Sequence, residues 1–298
     1  MVIANRNVAF TIIEKTIMNV LKKLGCAAAI ALSANAVQAS PIMNDWFFNP
    51  AGTGKVKSQP INEYLDVNGN AFIQITPTRG GSFSFTDHAV FNLSQADSNG
   101  KLFPMKFGGA ITATLDGYGT GTFGGTFSFT GGTISMYHNT TYGAYDSTAG
   151  IYGANLGQEI ARFSVLTGGG GSVDAKGNPV DNGQVSVWAE SVAGTMKSGY
   201  FFNDRGIDMS GLSNTAFAFT NANTVGKPTA NMIGEIACQF AGFTGPGCTG
   251  GTYATAPGSH FFIGGNGQFK FAEVPEPGSV ALFGIALFGI GAMRRRMK

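Results

Sequence analysis

Apolar and polar residues alternate at a period of two along the middle of this chain, and between residues 40 and 273 no segment keeps apolar positions at helical spacing for three turns. Alternation places successive side chains on opposite faces of an extended strand, so that one face can be buried while the other meets water. Residues 71–76, 82–86, 110–115, 126–130 and 184–189 read as half-buried strands of this kind. Asn68-Gly69, Ser98-Asn99-Gly100, Asp116-Gly117, Lys176-Gly177-Asn178, Asn182-Gly183 and Gly264-Gly265-Asn266-Gly267 stand between or beside them, and supply the positive φ that tight hairpins need. The expectation is a single all-β domain, glycine-rich, built as an antiparallel β-sandwich. Gly168-Gly169-Gly170-Gly171 and the segment that follows to Gly183 read as a flexible loop or joint.

Both ends depart from this pattern. Lys22-Lys23 precede an apolar stretch, Leu24 to Leu32, and Val37-Gln38-Ala39 offers the small residues a signal peptidase inspects, with cleavage between Ala39 and Ser40. Residues 1–39 therefore read as a signal peptide, and Met18 would begin one of ordinary length. Cys26 is not read as a lipidation site, because the apolar run follows it instead of preceding it. At the other end, Val274-Pro275-Glu276-Pro277 is held extended by its prolines, residues 280–293 are uninterruptedly apolar, and Arg294-Arg295-Arg296 closes the run. From Gly278 to Met293 a helix would reach roughly 24 Å, slightly short of a bilayer core, which suits a temporary inner-membrane anchor. The arginine cluster keeps to the cytoplasmic side, so everything before Pro275 lies outside. The domains expected are thus a signal peptide at 1–39, an exported domain at 40–273 and a tail at 274–298.

The order of parts in that tail, Val274-Pro275-Glu276-Pro277, then the apolar helix, then the arginines, resembles the PEP-CTERM sorting signal of Gram-negative bacteria. The resemblance implies recognition and removal by an exosortase. Gly278 stands where many such tails carry Ser. The segments Asn44-Asp45-Trp46-Phe47-Phe48-Asn49-Pro50-Ala51-Gly52 and Ile61-Asn62-Glu63-Tyr64-Leu65-Asp66-Val67-Asn68-Gly69, taken with the tail, are similar to the flocculation-associated PEP-CTERM proteins of floc-forming bacteria. That similarity implies a non-enzymatic cell-surface or matrix protein that promotes aggregation, floc or biofilm formation with exopolysaccharide. The partners implied are the exosortase, signal peptidase, extracellular polysaccharide or cell-surface glycans, and transiently the inner membrane.

Charge excludes one class of partner. The chain holds 19 Lys and Arg and 17 Asp and Glu; four of the cations precede Ser40 and four follow Glu273, while Glu14 and Glu276 are the carboxylates outside residues 40–273, which leaves the exported part at −4. A weakly acidic domain has no electrostatic footprint for nucleic acid. Cys238 and Cys248 are the cysteines left after signal cleavage and are expected to pair, since no His or further Cys stands near enough to complete a zinc set. The chain-entropy model gives such a loop roughly 2.5–3 kcal/mol.

Tests for catalytic chemistry fail. Gly119-Thr120-Gly121-Thr122-Phe123-Gly124 satisfies a dinucleotide pattern but no helix follows to receive a pyrophosphate. The segments from Asp66 to Asn70 and from Asp174 to Asn178 carry oxygen ligands beside glycines, yet lack the EF-hand register, and read as hairpin turns. His88, His138 and His260 are widely separated, and Glu159 with Glu190 forms a glycosidase pair only by nomination from many carboxylates. Tyr137, Tyr142, Tyr145 and Tyr152 read as surface tyrosines, with a sugar-stacking loop as the alternative. No cofactor, metal or catalytic residue is expected. The alternative to a matrix protein is a secreted carbohydrate-binding module or carbohydrate-active enzyme.

Overall fold

A computed structural model describes residues 43–98, 101–104, 108–180, 183–212 and 215–272. Ala39, Ser40, Met18 and the whole tail, Val274 to Pro277 and Arg294 to Arg296 included, lie outside the described residues. The strands are β1 (Trp46–Phe48), β2 (Gln59–Ile61), β3 (Tyr64–Pro77), β4 (Ser82–Ser98), β5 (Lys101–Pro104), β6 (Ala110–Thr122), β7 (Thr126–Asn139), β8 (Gln158–Val165), β9 (Gly168–Ser172), β10 (Gln184–Ser191), β11 (Phe201–Phe202), β12 (Thr215–Val225) and β13 (His260–Ala272). The five expected strands fall inside β3, β4, β6, β7 and β10. Ser98 pairs with Lys101, so β4 and β5 run antiparallel side by side, and Asn99 and Gly100 lie outside the described residues.

The all-β, antiparallel expectation holds, but the layers are not those of a sandwich. β3, β4, β6, β7, β8, β10, β12 and β13 pair in that order, each antiparallel to the next, and β13 returns to pair with β3 from Phe269↔Leu65 to His260↔Gln74. The sheet closes on itself as an eight-stranded up-and-down barrel, a size whose interior is filled by side chains or holds one small ligand. Closure satisfies both edges of every barrel strand, where a sandwich would leave edges open. Ala71, Ile73 and Ile75 of β3, Phe83, Phe85 and Ala89 of β4, and Ile111, Ala113 and Leu115 of β6 are buried in the main core. Ser84, Thr86, Asp116 and Thr130 alternate with such residues and meet solvent to varying degrees. Apolar inside and polar outside is the reverse of a lipid-facing barrel.

Several glycines read as turns sit inside strands instead. Asn68-Gly69 lies within β3, Asp116-Gly117 within β6 and Gly264 to Gly267 within β13. The cause is packing across the pleat: a Cβ on Gly119 would stand 2.7 Å from the Phe85 ring, and one on Gly121 would overlap the Phe83 ring. Large rings on β4 therefore lie over the bare backbone of β6, and the Phe85 and Phe129 rings meet edge-on at 5.4 Å. The tetraglycine run is likewise no flexible joint. It forms β9, which pairs with both β7 and β10 and continues the barrel where β8 stops. Gly168, Gly169 and Gly170 take φ of 115°, 67° and 106°, and a Cβ on Gly170 would collide with the Phe127 carbonyl, so no other residue fits this seam.

One end of the barrel is plugged. β1 pairs with β2 and β11 in a small separate sheet, and Trp46, fully buried, sets its ring edge-on at 4.9 Å against Phe271 of β13. Phe48 and Phe201 stack beside it at 5.2 Å. On the outer wall a short helix, Met232–Phe240, is wound so that Ala241 N–H donates to the Ile236 carbonyl. Met232, Ile236 and Ala237 cover Phe72, Val90 and Phe262 in a second core, and the Cys238–Cys248 disulfide, Cα–Cα 5.4 Å, ties the helix to the segment that follows. The expected cysteine pair is thus present.

Candidate functional site

The interior between the plug and the opposite mouth is incompletely filled. A cavity of about 110 Å³ is walled by Ile73, Phe85, Ala89, Leu115, Ile134 and Val185 among others. Inward-facing Gly265 and Gly267 of β13 contribute wall without volume, which is part of why space remains. Into this apolar chamber projects Asp87. It occupies an inward position of β4, between Phe85 and Ala89 on its own strand and opposite Ile73 and Gly117 on its neighbours.

Asp87 is 7% exposed, and its Oδ1 is buried with no hydrogen-bond partner. Among the described residues lining the cavity there is no Lys, Arg or His to balance it. Asn70 turns away to donate to the Tyr145 hydroxyl, and the Thr220 hydroxyl donates to the Asn266 carbonyl at 3.1 Å. Burial, reinforced by the nearby carboxylate of Asp116, pushes Asp87 from 3.8 up to about 7. At neutral pH the group exchanges between a neutral acid and an uncompensated anion. The sequence carried the signal: in Phe83, Phe85, Asp87, Ala89 the acid occupies a position the alternation assigns to the core. The residues expected to carry chemistry did not include it.

The mouth opposite the plug is crossed by the connection from β9 to β10, whose Val173, Gly177 and Pro179 line the cavity. Asp174 organises this connection. Its Oδ1 accepts from Lys176 N–H at 2.8 Å and Asn178 N–H at 2.9 Å, and its Oδ2 accepts from the Asn178 side-chain amide at 2.9 Å. Burial opposes ionisation of Asp174, but these bonds hold its carboxyl below the ordinary value. With its acceptors so engaged this is an Asx-type turn, as the sequence predicts. The Asp66 to Asn70 segment is instead strand, so the turn expected there is absent because β3 runs through it.

The other residues singled out by sequence do not converge. His88 faces outward beside Asp116, Nε2 to Oδ1 3.4 Å, and packs edge-on against Phe240. His138 is buried near Tyr200, and His260 stacks on Phe243 at 4.6 Å while its Nε2 lies 3.2 Å from the Ala254 carbonyl. No group of three potential metal ligands occurs among the described residues. Glu159 pairs with Arg162 at 2.7 Å, whereas Glu190 lies opposite Ser164, five residues further along β8. That spacing puts the two carboxylates on the order of 15 Å apart, beyond either glycosidase geometry. Gly119 to Gly124 runs out of β6 into a hairpin turn with no helix after it. Of the tyrosines, Tyr142 is exposed, but Tyr145 and Tyr152 meet edge-on at 5.2 Å within the outer core. The expected surface row is therefore partly internal, because the loop from Asn139 to Gln158 folds down over β3 and β4, where Tyr145 donates to the Val90 carbonyl.

β13 ends the described barrel at Ala272. The next residues, 273–296, match the PEP-CTERM protein-sorting motif. The chain carries a PEP-CTERM sorting signal. That motif marks the chain as an exosortase substrate and implies export through a membrane-anchored intermediate toward the cell surface. No curated protein and no solved structure matches it. The motif thus begins, in sequence, at the residue after the last barrel strand, and none of the residues lining the cavity belongs to it.

Proposed function

We propose that this PEP-CTERM protein is a non-enzymatic component of the cell surface or extracellular matrix, which promotes cell aggregation, floc or biofilm formation together with secreted polysaccharide. The observation that carries the reading is the sorting motif at residues 273–296, directly after the last strand of the β-barrel. In this reading signal peptidase cuts between Ala39 and Ser40, the exosortase engages Val274 to Pro277, and Arg294 to Arg296 hold the tail until transfer. The domain then acts by many weak polar contacts between its Ser-, Thr- and Asn-rich outer face and glycans, multiplied by display on one surface. A chain ending at Glu273 tests it, since every described residue stays in place. Cells producing that chain should secrete polysaccharide yet remain dispersed, with the protein lost to the medium. Normal aggregation by those cells would overturn the reading and favour a freely secreted lectin or carbohydrate-active enzyme.

A further inference from the structure

The barrel wall combines two features that a purely structural interior lacks. One is a chamber of about 110 Å³ left open in an otherwise packed core. An engineered apolar cavity of roughly 150 Å³ stays dry and takes up benzene, so this space suits an occupant of about five non-hydrogen atoms. The other is a carboxyl group, buried and aimed into that chamber, whose Oδ1 meets no donor. A carboxylate withdrawn from water without hydrogen bonds is strongly disfavoured, and pairing it recovers what burial has cost.

We propose that the barrel interior binds a small primary amine with an apolar body, its ammonium group donating to Asp87 and its short alkyl part filling the space between Ile73, Phe85 and Leu115. Water is a poor occupant, because it needs two to four polar partners, and beyond Asp87 the wall offers it little but the lone pairs of the Thr220 hydroxyl, whose proton goes to Asn266. A sugar is a poor one too, since its several hydroxyls would face an apolar wall with little but Asp87 and the Thr220 oxygen to serve them. A carboxylate would place like charges together. A hydroxyl supplies one donor but no compensating charge, whereas an ammonium supplies both in the volume of a single heavy atom. The desolvation of Asp87 is already borne by the fold, so only the amine's own hydration opposes entry. This site lies inside the barrel and is independent of the outer face on which aggregation would depend.

Calorimetric titration of the full chain at pH 7.5 with n-butylamine, n-butanol and butyrate tests the assignment. Butylamine should bind saturably at one molecule per chain, butanol at least tenfold more weakly, and butyrate not at all. Asp87→Asn should weaken butylamine at least tenfold while leaving butanol nearly unchanged, since charged hydrogen bonds outweigh neutral ones. Ala113→Leu, which fills the chamber but keeps the carboxyl, should abolish uptake of both with an unchanged far-ultraviolet spectrum. Failure of butylamine to bind, butyrate binding as tightly as the amine, or Asp87→Asn binding the amine as the parent does would each overturn it.

Discussion

Asp87→Asn isolates the energetic cost of the carboxyl inside the barrel. Its pKa stands at about 7 in the folded protein and 3.8 when exposed, a separation of roughly three units caused first by burial and then by Asp116. Below about pH 4 both folded and unfolded chains hold the proton, and the group is neutral in the balance. Between about pH 4 and 7 the unfolded chain releases its proton while the folded chain retains it, so stability falls by about 1.4 kcal/mol per pH unit. Above about pH 7 both are ionised and the loss, about 4 kcal/mol, is complete. Asparagine has the same shape and does not titrate. Urea unfolding of both proteins from pH 4 to 8.5 should therefore give a stability difference, variant minus parent, that climbs by about 4 kcal/mol across that range and then levels. His88 and His260, whose pKa values burial lowers, act in the opposite sense by destabilising both proteins as pH falls, and largely cancel in the difference. A difference that stays flat within about 1 kcal/mol would refute the claim that Asp87 is held uncompensated in an apolar interior.

Replacing Cys238 by Ser should lower stability by about 3 kcal/mol, the worth of a short loop, and free-thiol labelling of the exported protein without reductant should find neither cysteine. Stoichiometric labelling at both positions would contradict the bridge. Gly121→Ala should cost about 1–3 kcal/mol in urea unfolding because its methyl meets the Phe83 ring, whereas Gly234→Ala, with open space around the new methyl, should be neutral or slightly stabilising. Equal effects at the two sites would refute the packing of rings over the bare β6 backbone.

Local structure was legible where alternation and turn chemistry agreed, as in residues 82–86 of β4 and the Lys176-Gly177-Asn178 turn. Closure was not, because the pairings that make a barrel, β3 with β13 and β10 with β12, join strands whose alternation would serve a sandwich equally well. Gly69, Gly117 and Gly265 were misread as turn residues because a glycine bare of side chain for a packing reason looks the same in sequence as one chosen for positive φ. Gly168 to Gly171 has both reasons at once, and only the neighbouring strands reveal that it is paired. The sorting signal was fully legible, being a linear code of prolines, an apolar run and arginines that needs no partner from elsewhere in the chain. Asp87 needed the opposite kind of reading: its significance comes from the eight strands that surround it.

The position of β13 carries a mechanical consequence. Its backbone is hydrogen-bonded to β12 on one side and β3 on the other, and where β3 gives out, Met43 N–H donates to the Phe271 carbonyl at 2.8 Å. The sorting motif begins at the next residues in sequence, so tension on an anchored tail enters the domain at the end of this strand. A strand pulled lengthwise between two antiparallel neighbours cannot peel away one bond at a time; both ladders must shear together, with the Trp46 plug lodged against Phe271 at the loaded end. The barrel is thereby fastened to its tether by a strand held on both sides, and drag on a displayed protein meets two ladders where the load arrives.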